Sequence, residues 1–508
     1  MAKTPHILMI QADQMAARCL PFYGHQVVRA PHMQALAESG TVFDSAYCNS
    51  PLCAPSRFSM MAGQLASRIG AFDNASEFAA DIPTFAHVLR RAGYRTCLAG
   101  KMHFVGPDQL HGFEERLTTD IYPADFLWTP DWRKGVGERF MDLTPVRQSG
   151  VCRRSVQLDY DEEVAHEAKR FIFDHARSAD ERPMALVVSF THPHDPYVAL
   201  PYYWNQYENA AIDMPDVPFV PIEDRDPHAR DLSHHHGMDL YTPTEADIIR
   251  TRRAYYANIT MIDDYVGLML YTLEQAGMAD DTVVVVTADH GEMLGERGLW
   301  YKKNFYEPAA RVPLIIRLPG QKASRVGANV SLVDLMPTFA AIAETELSTL
   351  PDVLDGSSLL PLIDDTSEDW PDSVIGELLS EGTAGPIVML RWGRWKYIAS
   401  SAYPTMLFDL KTDPDELTNR AGESALAAVE QAFADEVAKR WDFEHLTAAI
   451  MASQQRRLAV GAAMAEGRTL SWDHQPMRDA SVAYYRGGDS LRGLSIGDVD
   501  ERETTDIE

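Results

Sequence analysis

Short apolar runs at residues 6–10, 94–98, 184–190, 282–287 and 312–318 read as strands. Helix signals lie between them at residues 31–39, 84–92 and 244–276. Pro31 stands in a first turn, Thr244 at an N-cap, and Gly40, Gly93 and Gly277 just past the ends. The strand runs are apolar rather than alternating, as in strands covered on both faces. The pattern predicts an α/β fold with a large, mostly parallel sheet flanked by helices. Beyond about Pro371 it changes to short strands at 387–392, 395–399 and 406–410, joined by tight turns, then an amphipathic helix at 424–440. This predicts a smaller C-terminal α+β domain with an antiparallel sheet. We place the domains at 1–369 and 370–469. Residues 470–508 form a polar tail, either disordered or reaching a neighbouring subunit.

Polar residues gather where the strands end. Asp13, Lys101 with His103, His194, and Asp289 with His290 each follow an apolar run by a few positions. Open α/β sheets bind ligands outside the carboxyl ends of their strands. Four separate segments therefore bring chemistry to one edge.

Charge narrows the chemistry. The net charge of −28 argues against nucleic acid and anionic membranes as partners, and requires any anionic substrate to meet a local cluster of cations. The five cysteines, Cys19, Cys48, Cys53, Cys97 and Cys152, are too sparse for a disulfide framework. No apolar run is long enough to span a bilayer, and the one at residues 6–10 is too short for a signal peptide, which points to the cytoplasm. The run His234-His235-His236 reads as a solvated polar loop.

Cys53-Ala54-Pro55-Ser56-Arg57 resembles the sulfatase signature Cys-x-Pro-Ser-Arg. Alone, the pentapeptide also fits a buried cysteine before a helix start, with Pro55 in the first turn. Further elements follow in the family's order: Gly100-Lys101-Met102-His103, Pro193-His194-Asp195-Pro196, Asp289-His290-Gly291-Glu292, Lys302 after Gly298-Leu299-Trp300-Tyr301, and Leu407-Phe408-Asp409-Leu410. The chain is thus similar to the sulfatase family of the alkaline phosphatase superfamily over nearly its whole length. Within it, Asn49 to Phe58, Thr191 to Tyr197, Gly295 to Lys302 and Trp472-Asp473-His474-Gln475-Pro476 look most like choline sulfatases.

The resemblance implies hydrolysis of a small sulfate ester, choline O-sulfate or a related alkyl sulfate, with aryl sulfate, phosphodiester or phosphonate monoester cleavage as alternatives. Cys53 would be converted to formylglycine by a maturation enzyme. A hydroxyl of its hydrate would attack sulfur, His194 would protonate the leaving alcohol, and His103 would take a proton from the second hydroxyl to expel sulfate. Arg57, Lys101, His103, His194 and Lys302 would supply the cations around the sulfate oxygens. Asp13, residue 53, Asp289 and His290 would bind one divalent cation, Ca2+ first and Mg2+ or Mn2+ after it. Gln14 and His192 would support them, Gln14 replacing a second Asp common in the family. Trp128 and Glu381 would receive a trimethylammonium head. A Trp-Tyr-His-Asn run that the family tends to carry is replaced by Glu138-Arg139-Phe140-Met141-Asp142. The resemblance also implies a homo-oligomer, dimer or tetramer.

Overall fold

The computed structural model describes residues 4–135, 139, 141–367, 369–468 and 471–477. Glu138, Phe140 and most of the expected tail lie outside the described residues. In chain order the strands are β1 His6–Asp13, β2 Thr41–Tyr47, β3 Arg95–Gly100, β4 Glu115–Arg116, β5 Gly150–Val151, β6 Met184–Pro193 and β7 Val198–Ala199. They continue with β8 Thr282–Ala288, β9 Leu314–Arg317, β10 Ser324–Ser331, β11 Ser373–Leu378, β12 Ile387–Trp392, β13 Trp395–Ser400 and β14 Met406–Asp409. Eight of them form one sheet in the order β10-β2-β9-β8-β1-β6-β3-β4.

The expected α/β class is what the chain adopts. β1 runs parallel to β6 on one side and β8 on the other, and every residue of the three is buried. Two-sided covering is why these runs are apolar throughout. Helices Val156–Arg177 and Glu245–Gln275 both pack against β6. Thr244 caps the second: its hydroxyl accepts from the Asp247 amide while the Asp247 carboxylate accepts from the Thr244 amide. β9 runs antiparallel to both β2 and β8. Its apolar sequence marks a strand, but its direction follows from the connection after β8, which carries only short helical turns instead of a long crossover.

The second sheet, β11-β12-β13-β14, is antiparallel throughout. Helix Ala427–Arg440 covers it by stacking Phe433 on Trp392 and Tyr397, with ring centroids 4.4 and 5.2 Å apart. The Glu377 amide of β11 donates to the Asn49 carbonyl at 2.8 Å, and the Asn49 side chain donates to the Ile375 carbonyl at 2.8 Å. The loop leading to Cys53 is therefore clamped to the second sheet.

One sequence expectation is overturned. His234-His235-His236 is no solvated loop: it ends helix Pro227–His235, with His234 exposed but His235 and His236 buried. His228, Leu232, His235 and His236 fall on one helical face, which turns inward. Among the described residues no helix is long and apolar enough to cross a membrane.

Candidate active site

The site forms at the carboxyl edge of the large sheet. β1 ends at Asp13, β3 ends one residue before Lys101, β6 carries His192 and precedes His194, and β8 ends just before Asp289 and His290. The register between β1 and β6 slips at the edge, from Gln11 opposite Ser189 to Asp13 opposite Pro193. Such a bulge re-aims the strand end. Gly100 takes φ +104°, and a Cβ there would lie 2.0 Å from the Ser189 carbonyl oxygen, so only glycine lets the chain turn into Lys101.

Cys53 is the first residue of helix Cys53–Ala62, all ten residues of which are buried. One turn on, Arg57 braces the site from beneath. Its Nε donates to Asp289 Oδ2 at 2.8 Å, one terminal nitrogen to Asp13 Oδ2 at 3.2 Å, and the other to the Lys101 carbonyl at 2.7 Å and Ser189 Oγ at 2.8 Å. With each of its three nitrogens bonded to the scaffold, Arg57 fixes the carboxylates in place.

The Cys53 thiol lies 3.2 Å from His290 Nε2 and 3.9 Å from Asp13 Oδ1. Burial would raise this thiol, yet Lys101, Lys302, His290 and His103 outweigh it and hold it well below its ordinary range. The pocket thus stabilises negative charge at position 53. Burial likewise pushes Asp13 up, as does the thiolate, but Lys101, His194 and Arg57 keep it below the usual carboxylate range. The Lys101 ammonium contacts Asp13 Oδ2 and stands 4.1 Å from the centre of the Tyr122 ring.

Lys302, rather than its neighbour Lys303, enters this cluster. Its Nζ is 2.8 Å from His194 Nε2 and donates to Gln14 Oε1. Burial opposes its charge, but Cys53, Asp13 and Asp195 raise its pKa. Gln14 in turn donates to Glu292, so it links Lys302 to a second buried carboxyl. Both ring nitrogens of His103 are buried without a protein hydrogen-bond partner, and its ring meets Trp128 edge-on at 5.8 Å. His192 sits deeper, its Nδ1 2.7 Å from Asp161 Oδ2.

The donor set fits a divalent cation. Asp13, Cys53, Asp289 and His290 each offer a ligand atom, all within 4.8 Å of one another and all buried. Two carboxylates facing one point favour a cation between them, and here Arg57 pairs with both and Lys101 with Asp13. An oxygen at position 53 would suit a hard cation better than the present sulfur.

Trp128 and Glu381 share a cavity of about 270 Å³ beside this cluster, lined also by Asp131, Trp132 and His235. Glu381 is not a bare anion: its Oε1 accepts from the Asn74 amide at 2.9 Å, and its Oε2 lies 2.9 Å from Lys303 Nζ. Several residues at the site carried no sequence signal. Asp120 accepts from the Met102 and His103 amides and pairs with Arg116, and Asp161 anchors His192. Asp195 and Glu292 sat inside quoted motifs without a role of their own.

A sulfatase family model matches residues 5–345, a model of the N-sulphoglucosamine sulphohydrolase C-terminal region matches 295–442, and a model of the choline sulfatase C terminus matches 448–494. The chain is 45% identical over 501 residues to a choline-sulfatase of Rhizobium meliloti, covering 96% of this chain and 97% of that protein. It is 30% identical over 440 residues to arylsulfatase K of Gallus gallus, covering 82% of this chain and 79% of that one. Its fold matches a phosphonate monoester hydrolase of Agrobacterium radiobacter with a TM-score of 0.70 at 24% identity, covering 86% and 95% of the two chains. A cation cluster built around Cys53 at a sheet edge, with family models and relatives that span the chain, leads to one conclusion: the chain belongs to the sulfatase family of sulfuric ester hydrolases.

Proposed function

We propose that the protein cleaves the S–O bond of a small alkyl sulfate, choline O-sulfate or a compact ester of similar size. The observation that carries this reading is the convergence of Lys101, Lys302, His290 and His103 on residue 53, whose negative charge they stabilise. The same field suits the nonbridging oxygens of a sulfate ester. The similarity to the choline-sulfatase of Rhizobium meliloti supports choline O-sulfate as the first ester to test.

Asp13, Asp289 and His290, with residue 53, would hold one divalent cation, Ca2+ in the first instance. When bound, it would lower the pKa of an oxygen at position 53 and screen the substrate's charge. Formylglycine made from Cys53 by a maturation enzyme would supply two hydroxyls on one carbon once hydrated. The chain's own groups do the rest. Lys101 and Lys302 hold sulfate oxygens, and Arg57 keeps Asp13 and Asp289 aligned. His194 Nδ1 is 2.7 Å from the Asp195 carbonyl oxygen, which can only accept, so Nε2 is left to exchange a proton with the departing alcohol. His103, with no other partner for its ring nitrogens, is placed to take a proton at residue 53. A cytoplasmic homo-oligomer completes the reading.

Sulfate release from choline O-sulfate and from 4-nitrophenyl sulfate, with Cys53→Ala as blank, tests it. Release above the blank, with the Cys53 peptide showing the mass of the aldehyde, is the expected result. Activity that survives Cys53→Ala would refute the proposal.

A further inference from the structure

Lys302 and Lys303 are neighbours in sequence, yet their ammonium groups reach different compartments. Tyr301 and Lys303 both take left-handed backbone angles, φ +66° and +70°, which long side chains adopt only under constraint. The Lys303 amide is tied to the Pro51 carbonyl at 3.1 Å. This double turn sends Lys302 to His194 and Lys303 behind the wall of the Trp128 cavity. There Lys303 Nζ lies 2.9 Å from Glu381 Oε2 and 3.0 Å from His235 Nε2, all three side chains being buried. Glu381 and His235 line the cavity, and Lys303 stands at their backs.

The remaining charged groups described on that wall are matched as well. Asp131 pairs with Arg133 at 2.7 Å, and Arg139 with Asp239 at 2.5 Å. No carboxylate described there brings uncompensated negative charge to the cavity. A quaternary ammonium entering it would gain the faces of Trp128 and Trp132 but lose its hydration, with no net anion to offset the loss.

We propose that Lys303 is a specificity-determining residue: by cancelling Glu381 it removes the advantage of a quaternary ammonium alcohol over an uncharged alcohol of the same shape. The cavity then selects the alcohol by size and aromatic contact. This rests on the sulfatase reading above and defines the alcohol side of that same site.

The test compares kcat/KM for choline O-sulfate with that for its uncharged isostere, 3,3-dimethylbutyl sulfate. The expected ratio is within about fivefold of one for the wild type. Lys303→Met frees the Glu381 charge and raises the ratio about tenfold or more, equivalent to about 1.4 kcal/mol. Glu381→Gln removes the carboxylate charge facing Lys303 and lowers it. The double variant Lys303→Met with Glu381→Gln buries no unpaired charge and returns the ratio to the wild-type value, so the argument survives poor folding of either single variant. A wild-type ratio of about a hundred that Lys303→Met does not increase would overturn the proposal. If neither ester is cleaved, the sulfatase substrate reading fails separately. NMR titration with choline and 3,3-dimethylbutanol then decides: equal binding supports the role of Lys303, and much tighter choline binding refutes it.

Discussion

Nζ of Lys302 lies 2.8 Å from Nε2 of His194. An ammonium can only donate, so in this arrangement His194 Nε2 accepts, and a sulfate drawing Lys302 onto its oxygens frees that nitrogen to carry a proton. Loss of this acid should matter in proportion to how poorly the alcohol leaves. His194→Gln is expected to lower kcat for an alkyl sulfate by about 10²–10⁴-fold. It should affect 4-nitrophenyl sulfate far less, because nitrophenolate leaves without a proton. Steady-state kcat on both esters checks this, and equal losses would remove His194 from the acid role.

The pH profile should carry the same signature. Burial lowers the His194 pKa, but Asp195 opposes it most strongly and the net direction is upward. A general acid works while protonated, so its alkaline limb lies above the ordinary imidazole range. Asp195→Asn removes the largest raising influence, so burial and Lys302, which lower it, are opposed only by Asp13 and residue 53 among the named groups. The alkaline limb of kcat/KM for an alkyl sulfate is expected to move to lower pH. A limb that stays in place would assign it to another group.

The carboxylates at the strand ends predict a metal effect readable without activity. A cation that binds only the folded protein stabilises it by about 2.7 kcal/mol at a hundred times its dissociation constant. Added Ca2+ should therefore raise the melting temperature of the EDTA-stripped wild type, and raise it much less in Asp13→Asn. Asp13 is held ionised below the usual carboxylate range, but His290 must be neutral to bind a cation. Burial lowers the His290 pKa, yet Asp289 and residue 53 outweigh it and raise the pKa, so the metal effect should be larger at pH 7 than at pH 5. Differential scanning fluorimetry with and without Ca2+ at pH 5 and 7 checks both statements.

Much of this site was legible because its residues follow strands whose apolar runs are unmistakable. Asp13, Lys101, His194 and Asp289 were placed at one edge by periodicity alone, and the ordered motifs added Cys53, Arg57 and Lys302. The groups that escaped notice act through distant backbone. Asp120 binds amides of a loop and Asp161 amides at the end of β6, both far from them in sequence, a role any carboxylate could fill and no spacing announces. β11 was missed as a strand, although its partner β12 and the next strand β13 were read. His235 and His236 were misjudged because a run of three polar residues hides a helical face that only packing reveals. Lys303 was legible as a lysine, but its compartment depends on backbone angles that sequence does not print.

The last prediction concerns how the C-terminal helix supports the alcohol side. Arg457, from helix Phe443–Ala465, reaches Asp73 with two parallel bonds of 2.6 and 2.7 Å, and both side chains are buried. Asp73 also accepts from Ser380 Oγ at 3.2 Å, and the next residue, Asn74, donates its amide to Glu381. Removing one partner of a buried pair leaves the other charge unpaired and costs about 3–5 kcal/mol. Arg457→Met is therefore expected to lower the melting temperature clearly and to raise KM for alkyl sulfates through the shifted Ser380–Glu381 wall. Because Lys101, His194 and Lys302 lie on other elements, kcat should fall much less than KM rises. The pair Arg457→Met with Asp73→Asn should recover much of the lost stability, since no buried charge is then orphaned. Thermal melts with a KM and kcat comparison of the three variants read this directly. A kcat loss as large as the KM change would mean that the helix supports the sulfate-cleaving residues rather than the alcohol pocket.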